Sequence, residues 1–377
     1  MPLKGLQVIE LSGLAPGPLC GKFLRDYGAD VILVHKMSDG SLSNFDVVSN
    51  GKKSIAIDLK SVNGSHVFRR LVTFADILIE PFRKGVMEKL GFSPHVLMTD
   101  NPKLIYARLS GYGQQGHFSS MAGHDINYLS MTGLLSMYGW RGKHPIPPSN
   151  FSEFAGGSLI CFSGILLALL ERNKTGKGQV IDSNIVEGLS YLGSWLIKSQ
   201  KMLFANTRGT NILDGGSHFY DTYETKDGKF MAVGAIEPKF YDELLSKLNL
   251  SYEEVPQDDF ENGRRIFTEK FKEKTRDEWC KVFDQSDACV TPVLTVTEAA
   301  QHKHNVDRKT FTRNDDGTVT PARAPRLSVC IQSDEIMPPA SYCADTITIL
   351  QEIGYSNEEI KKLNDDGVIK INGSCKL

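Results

Sequence analysis

Along the first third of the chain, short apolar runs alternate with stretches whose apolar residues recur every three or four positions. LQVIEL (6–11), VILVH (31–35), SIAIDL (54–59), DILIE (76–80) and LIYARLS (104–110) read as strands. LCGKFLRDYG (19–28), closed by Gly28, and SHVFRRLVTFA (65–75) read as helices. Strand alternating with helix predicts a parallel α/β sheet. Two further helices, at about 155–171 and 184–200, flank a glycine-rich turn and the strand QVIDS (179–183).

After Asn206 the pattern changes. HFYDTYET (218–225) and KFMAVGA (229–235) are joined by Lys226-Asp227-Gly228, a hairpin signal. Helices follow at about 238–248, 264–274 and 276–285. The polar stretch 313–326 reads as a loop or linker, and helices at about 343–353 and from Asn357 close the chain. This predicts a large α/β domain over 1–205, a smaller α+β domain over 206–324 and a C-terminal segment over 325–377.

Composition narrows the function. The 377 residues are 41% hydrophobic and 23% charged, with a net charge of −2, so no basic field draws in nucleic acid or an anionic membrane. An anionic ligand must be held by a few placed cations. Seven cysteines, an odd number without C-x-x-C, read as reduced thiols and not as a disulfide frame or zinc site. His302-Lys303-His304 reads as a solvated helix end, so no metal is expected. The N-terminus enters a strand almost at once and offers no signal peptide. The longest apolar run, Ala155 to Leu170, is interrupted by Gly156, Gly157 and Gly164 and reads as a buried core helix, not a membrane span. Cys375-Lys376-Leu377 is a close variant of the peroxisomal S-K-L address, which predicts an import receptor as partner.

A dinucleotide site is not supported. The turn after the first strand, SGLAPGPLCG, spaces Gly13, Gly17 and Gly21 four apart, and Pro16 and Pro18 remove N–H donors that a pyrophosphate would use. Three other segments place an ionisable group where the chain turns. His124 opens AGHDINY, Glu153 enters a glycine-rich helix start whose N–H groups face an anion, and Glu237 precedes Pro238 at a first helical position. Taken singly, a solvated histidine, a helix-terminal acid and a capping residue would look the same.

Together these segments resemble the α-methylacyl-CoA racemase branch of the family III CoA-transferase (CaiB/BaiF) fold. The resemblance runs through LKGLQVIELSGLAPGP (3–18), IEPFRKGVMEKLG (79–91), KLIYARLSGYGQ (103–114), AGHDINYLS (122–130), TGKGQVIDSNIVEG (175–188), NILDGGSHFYDTYE (211–224), MAVGAIEP (231–238) and DACVTPVL (287–294). It implies a large Rossmann-like α/β domain completed by the C-terminal segment, a smaller α+β domain, and two chains interlocked as a homodimer. His124 matches the catalytic histidine, Glu237 the glutamate that orients it, and Glu153 the position of an aspartate that carries the second proton. Contacts to CoA are implied at Lys36, at Ile57, Asp58, Leu59 and Lys60, and at Gly123, Asp125, Ile126, Asn127 and Tyr128, with Arg83 and Arg108 assisting.

The implied activity is interconversion of (R)- and (S)-2-methylacyl-CoA thioesters, including branched-chain fatty acyl and bile-acid precursors, in peroxisomes, mitochondria or cytosol. A proton beside a thioester is weakly acidic, so inversion needs stabilisation of the enolate and two proton carriers on opposite faces. No separate cofactor is implied, because CoA is part of the substrate. Two other readings remain: a CoA-transferase using a carboxylate nucleophile, against which His124 argues, and a non-catalytic acyl-CoA-binding relative. Glu153 is one methylene longer than the family's aspartate, Lys36 replaces an arginine fork with a point charge, and His218 stands where the family commonly has proline.

Overall fold

The computed structural model describes residues 1–38, 46–314, 316–329 and 337–372; the tail tripeptide therefore lies outside the described residues. The chain divides into two compact units, residues 1–132, 149–192 and 323–377, and residues 133–148 and 193–322. Residues 193–205 and 133–148, expected in the large domain, belong to the second unit.

The first unit is built on a sheet whose strands β1 (Gln7–Leu11), β2 (Asp30–His35), β3 (Lys53–Ile57), β4 (Ile77–Glu80), β5 (Ile105–Ser110) and β6 (Val180–Asn184) run parallel in the order β3-β2-β1-β4-β5-β6. Ile369–Lys370 adds a seventh, antiparallel strand beside β3. Strands such as VILVH and ILIE are buried along their length and mostly apolar because both sheet faces are covered. Phe68, Phe92 and Ile349 pack in one apolar cluster, and Leu24, Cys161 and Ile165 in another.

Details departed from the sequence pattern for local reasons. The first helix spans Pro16–Asp26 and not 19–28, since proline is well placed in a first turn, where its missing N–H costs nothing. The helix expected at 155–171 starts as a π-helix, Ser152–Leu159, and continues as an α-helix, Ile160–Thr175. Glycines on it and on the helix Ile185–Leu192 allow backbone contact: a Cβ on Gly188 would lie 2.0 Å from the carbonyl oxygen of Gly156. Ser152–Thr175 is long and apolar enough to cross a membrane by length and composition, but 44% of its most apolar window is buried in the protein. The single helix expected at 184–200 is broken into Ile185–Leu192, Ser194–Lys198 and Gln200–Leu203.

The second unit carries the antiparallel sheet β7 (Tyr220–Glu224), β8 (Phe230–Gly234) and β9 (Val290–Pro292). Helices Pro238–Leu248, Phe260–Phe271 and Arg276–Phe283 bury Tyr241, Phe267, Phe271 and Trp279 in its core. The polar stretch at 313–326 is not wholly loop: β10 (Phe311–Arg313) pairs with β11 (Val319–Pro321).

Candidate active site

The strand order reverses between β1 and β4, and in such sheets ligands settle at the carboxyl ends of the strands near that reversal. There the turn after β1 runs against the residue following β4: a Cβ on Gly13 would lie 2.6 Å from Cγ of Pro81, so glycine is required. A cavity of about 700 Å³ opens at this edge, lined by Ser12 to Ala15 after β1, Lys36 after β2, and Phe154. The SGLAPGP turn was legible as glycine-rich, but its place on the cavity wall was not.

Most of the expected CoA contacts fall along the same edge because parallel strands end together. Lys36 follows β2, and its Nζ lies 5.8 Å from the ring centroid of Phe82, just after β4. Ile57 ends β3 and is buried; Asp58 turns the chain by accepting from the N–H of Lys60 at 3.1 Å, and Lys60 is exposed. Leu59 packs against the core below. Arg83 is exposed, with its guanidinium 3.4 Å from the carbonyl of Ser120. Arg108 is a correction. Its buried guanidinium donates to Glu80 at 2.8 Å and to both oxygens of Glu88, so it holds the protein and does not face a ligand.

The segment 123–128 is held by its own side chains. His124 sits at the N-cap of helix Asp125–Met131, where its N–H donates to Oδ1 of Asn127 at 3.0 Å. The hydroxyl of Tyr128 donates to the carbonyl of Gly123, and its ring lies where a Cβ on Gly111 would meet it at 2.2 Å. Ile126 is exposed, as is His124. The contact that the sequence could not announce is made by Asp125. Its buried carboxylate accepts from the N–H of Glu153 at 2.8 Å, tying the histidine segment to the start of the π-helix.

Glu153 is thereby buried at 9% exposure on a π-helix, a rare turn that recurs at functional sites. Burial raises the pKa of its carboxyl, the negative charge of Asp125 raises it further, and His124 pulls the other way. The first unit thus brings His124 and Glu153 together through Asp125. Ser152 beside it is 1% exposed and its hydroxyl has no hydrogen-bond partner, a polar residue that sequence reading passed over.

Two residues belong to the second unit. Glu237 is exposed at the N-cap of helix Pro238–Leu248. His218 does not face solvent: it is fully buried among Phe219, Tyr241, Phe260 and Phe267, with Nε2 2.6 Å from the hydroxyl of Tyr241. Among the described residues no group of three or more His, Cys, Asp or Glu is arranged to hold a metal ion.

This chain is 50% identical to the alpha-methylacyl-CoA racemase of Mus musculus over 98% of both chains, and 49% identical to that of Homo sapiens over 99% of this chain and 98% of the relative. A crystal structure of a CaiB/BaiF family protein from Brucella suis shares the fold with a TM-score of 0.78 at 24% identity, covering 94% of this chain and 99% of the other. The model of CoA-transferase family III matches residues 3–340. The doubly wound sheet, the cavity at its carboxyl edge and these matches agree, and the chain belongs to CoA-transferase family III.

Proposed function

We propose that this protein is an isomerase that interconverts (R)- and (S)-2-methylacyl-CoA thioesters by removing and returning the α-proton. The observation that carries the reading is Glu153, buried on a π-helix, anchored by Asp125 and electrically coupled to His124. Close similarity to two racemases over nearly the whole chain supports it.

In this mechanism one carrier accepts the α-proton, and the C–H electron pair passes into an enolate. The other carrier delivers a proton to the opposite face. Each acts as general acid or base for roughly 10²–10⁴-fold. Burial and the charge of Asp125 raise the pKa of the Glu153 carboxyl, a direction that eases its taking up of a proton and suits a proton carrier. For Glu237 the support is the sequence motif MAVGAIEP, which assigns it the task of orienting the histidine. The CoA end falls to Lys36, residues 57–60 and Arg83, with residues 123–128 supporting the reacting end. CoA belongs to the substrate, and no further cofactor enters the reading.

Three finer assignments go with it. The acyl groups are branched-chain fatty acyl and bile-acid precursors. The protein works as a homodimer, a second copy covering apolar side chains such as Leu167 and Leu170, which are 67% and 59% exposed. Part of it is addressed to peroxisomes by Cys375-Lys376-Leu377, read by an import receptor; a fluorescent protein carrying only the last ten or so residues tests this. The test of the activity itself is exchange of the α-hydrogen of a 2-methylacyl-CoA with deuterated solvent, followed for each enantiomer. Absence of exchange with CoA binding intact would remove the racemase reading, and transfer of CoA to a free carboxylic acid in the same mixture would install the transferase in its place.

A further inference from the structure

Three charges lie beneath the binding edge where the proposed proton transfer uses none. Arg108 stands on β5 directly across from Glu80, the last residue of β4. Its Nε donates to Glu80 at 2.8 Å, while Nη1 and Nη2 donate to the two oxygens of Glu88 at 2.8 and 3.2 Å. Glu88 lies on the short helix Val86–Lys89, so one guanidinium grips both ends of the loop 81–85. Glu80 uses its other oxygen to accept from the N–H of Phe82 at 3.0 Å. The side chains of Glu80 and Arg108 are 0% and 7% exposed, that of Glu88 40%.

Such a group is a poor way to gain stability alone, because desolvating buried charges offsets most of their attraction and an apolar filling often serves as well. Its geometry does something an apolar filling cannot. It fixes the path of the five residues that carry Phe82 and Arg83, beside Lys36. It also occupies both carboxylates. Arg83, carried on this loop, is exposed.

We propose that Arg108, with Glu80 and Glu88, is the positioning group of the thioester-binding edge: it sets the loop 81–85 and so the place of Arg83 for the phosphates of CoA. This rests on the reading of the protein as an acyl-CoA enzyme. A merely structural triad would lower thermal stability when broken and leave affinity alone. A positioning triad moves the binding of CoA and the Michaelis constant while turnover stays nearly constant.

Arg108→Lys keeps the charge but cannot span both carboxylates. We expect it to weaken CoA binding, measured by calorimetry with CoA itself, by about tenfold, with a matching rise in KM and turnover changed less than about twofold. Glu88→Gln changes a half-exposed residue without endangering the fold, and should weaken binding in the same direction by a smaller factor. It decides the matter if the lysine variant does not fold. A lower melting temperature with unchanged CoA affinity in Glu88→Gln would overturn the proposal, as would a fall in turnover at constant KM. A wild-type protein that binds CoA but exchanges no α-proton, with binding weakened in the variants, would sink the racemase reading and leave this one standing.

Discussion

Acidifying the protein should unlock its second unit through one side chain, His218. Tyr241 donates its only hydroxyl proton to the carbonyl of Val255 at 2.9 Å, so at the 2.6 Å contact it must accept from Nε2–H of His218. That assigns the tautomer and leaves Nδ1 bare, fully buried and without a partner. A second proton would have to be placed there with nothing to receive it. Burial, with the positive charge of Arg264 adding to it, lowers the pKa of the ring from the usual 6.5 to about 4. Because the folded value lies below the unfolded one, the contribution is fully present above pH 6.5 and is lost as pH falls toward 4. The interval amounts to about 3 kcal/mol. His218→Gln can still donate to Tyr241 through its amide but does not titrate. Unfolding free energies between pH 7 and 4, followed by hydrogen exchange in helix Phe260–Phe271, should fall by about 3 kcal/mol more in the wild type than in the glutamine variant. Equal pH slopes in the two proteins would refute the argument.

The remaining expectations concern the first unit. Glu153→Gln keeps size and hydrogen-bonding shape but cannot carry a proton, so inversion should fall by about 10²-fold or more while α-hydrogen exchange persists for one enantiomer; intact inversion in a stereochemical assay would remove Glu153 from the mechanism. His124→Ala should lower exchange by a similar factor at nearly constant CoA affinity, whereas Lys36→Ala should raise KM with little effect on turnover. If both act mainly on affinity, His124 is a binding residue. Gly111→Ala drives a Cβ into the ring of Tyr128 and should cost roughly 1–3 kcal/mol of stability, together with turnover, as the His124 segment is displaced; unaltered kinetics would show that the segment does not depend on that packing.

Much of this protein was legible along the chain. The β-strand runs of the first third are rich in apolar residues because each lies in a sheet covered on both faces, and that signal is local. The hairpin at Lys226-Asp227-Gly228 was equally local, since the turn residues sit between the strands they join. The three-residue strands of the 311–321 hairpin were too short to show any period.

Ionisable side chains behaved differently. The resemblance set Arg108 and Asp125 beside CoA and left His218 open, and packing showed what each holds inside the protein. Arg108 meets Glu80 because β5 lies beside β4, and His218 is enclosed by aromatics from helices far along the chain. Asp125 holds Glu153 across 28 positions of sequence. The sequence by itself determined most of the strands and helices, because periodicity expresses how one segment divides between core and water. Only the tertiary structure decided which charges are spent inside the protein and which remain for a substrate, because the partner that neutralises a buried charge comes from another part of the chain.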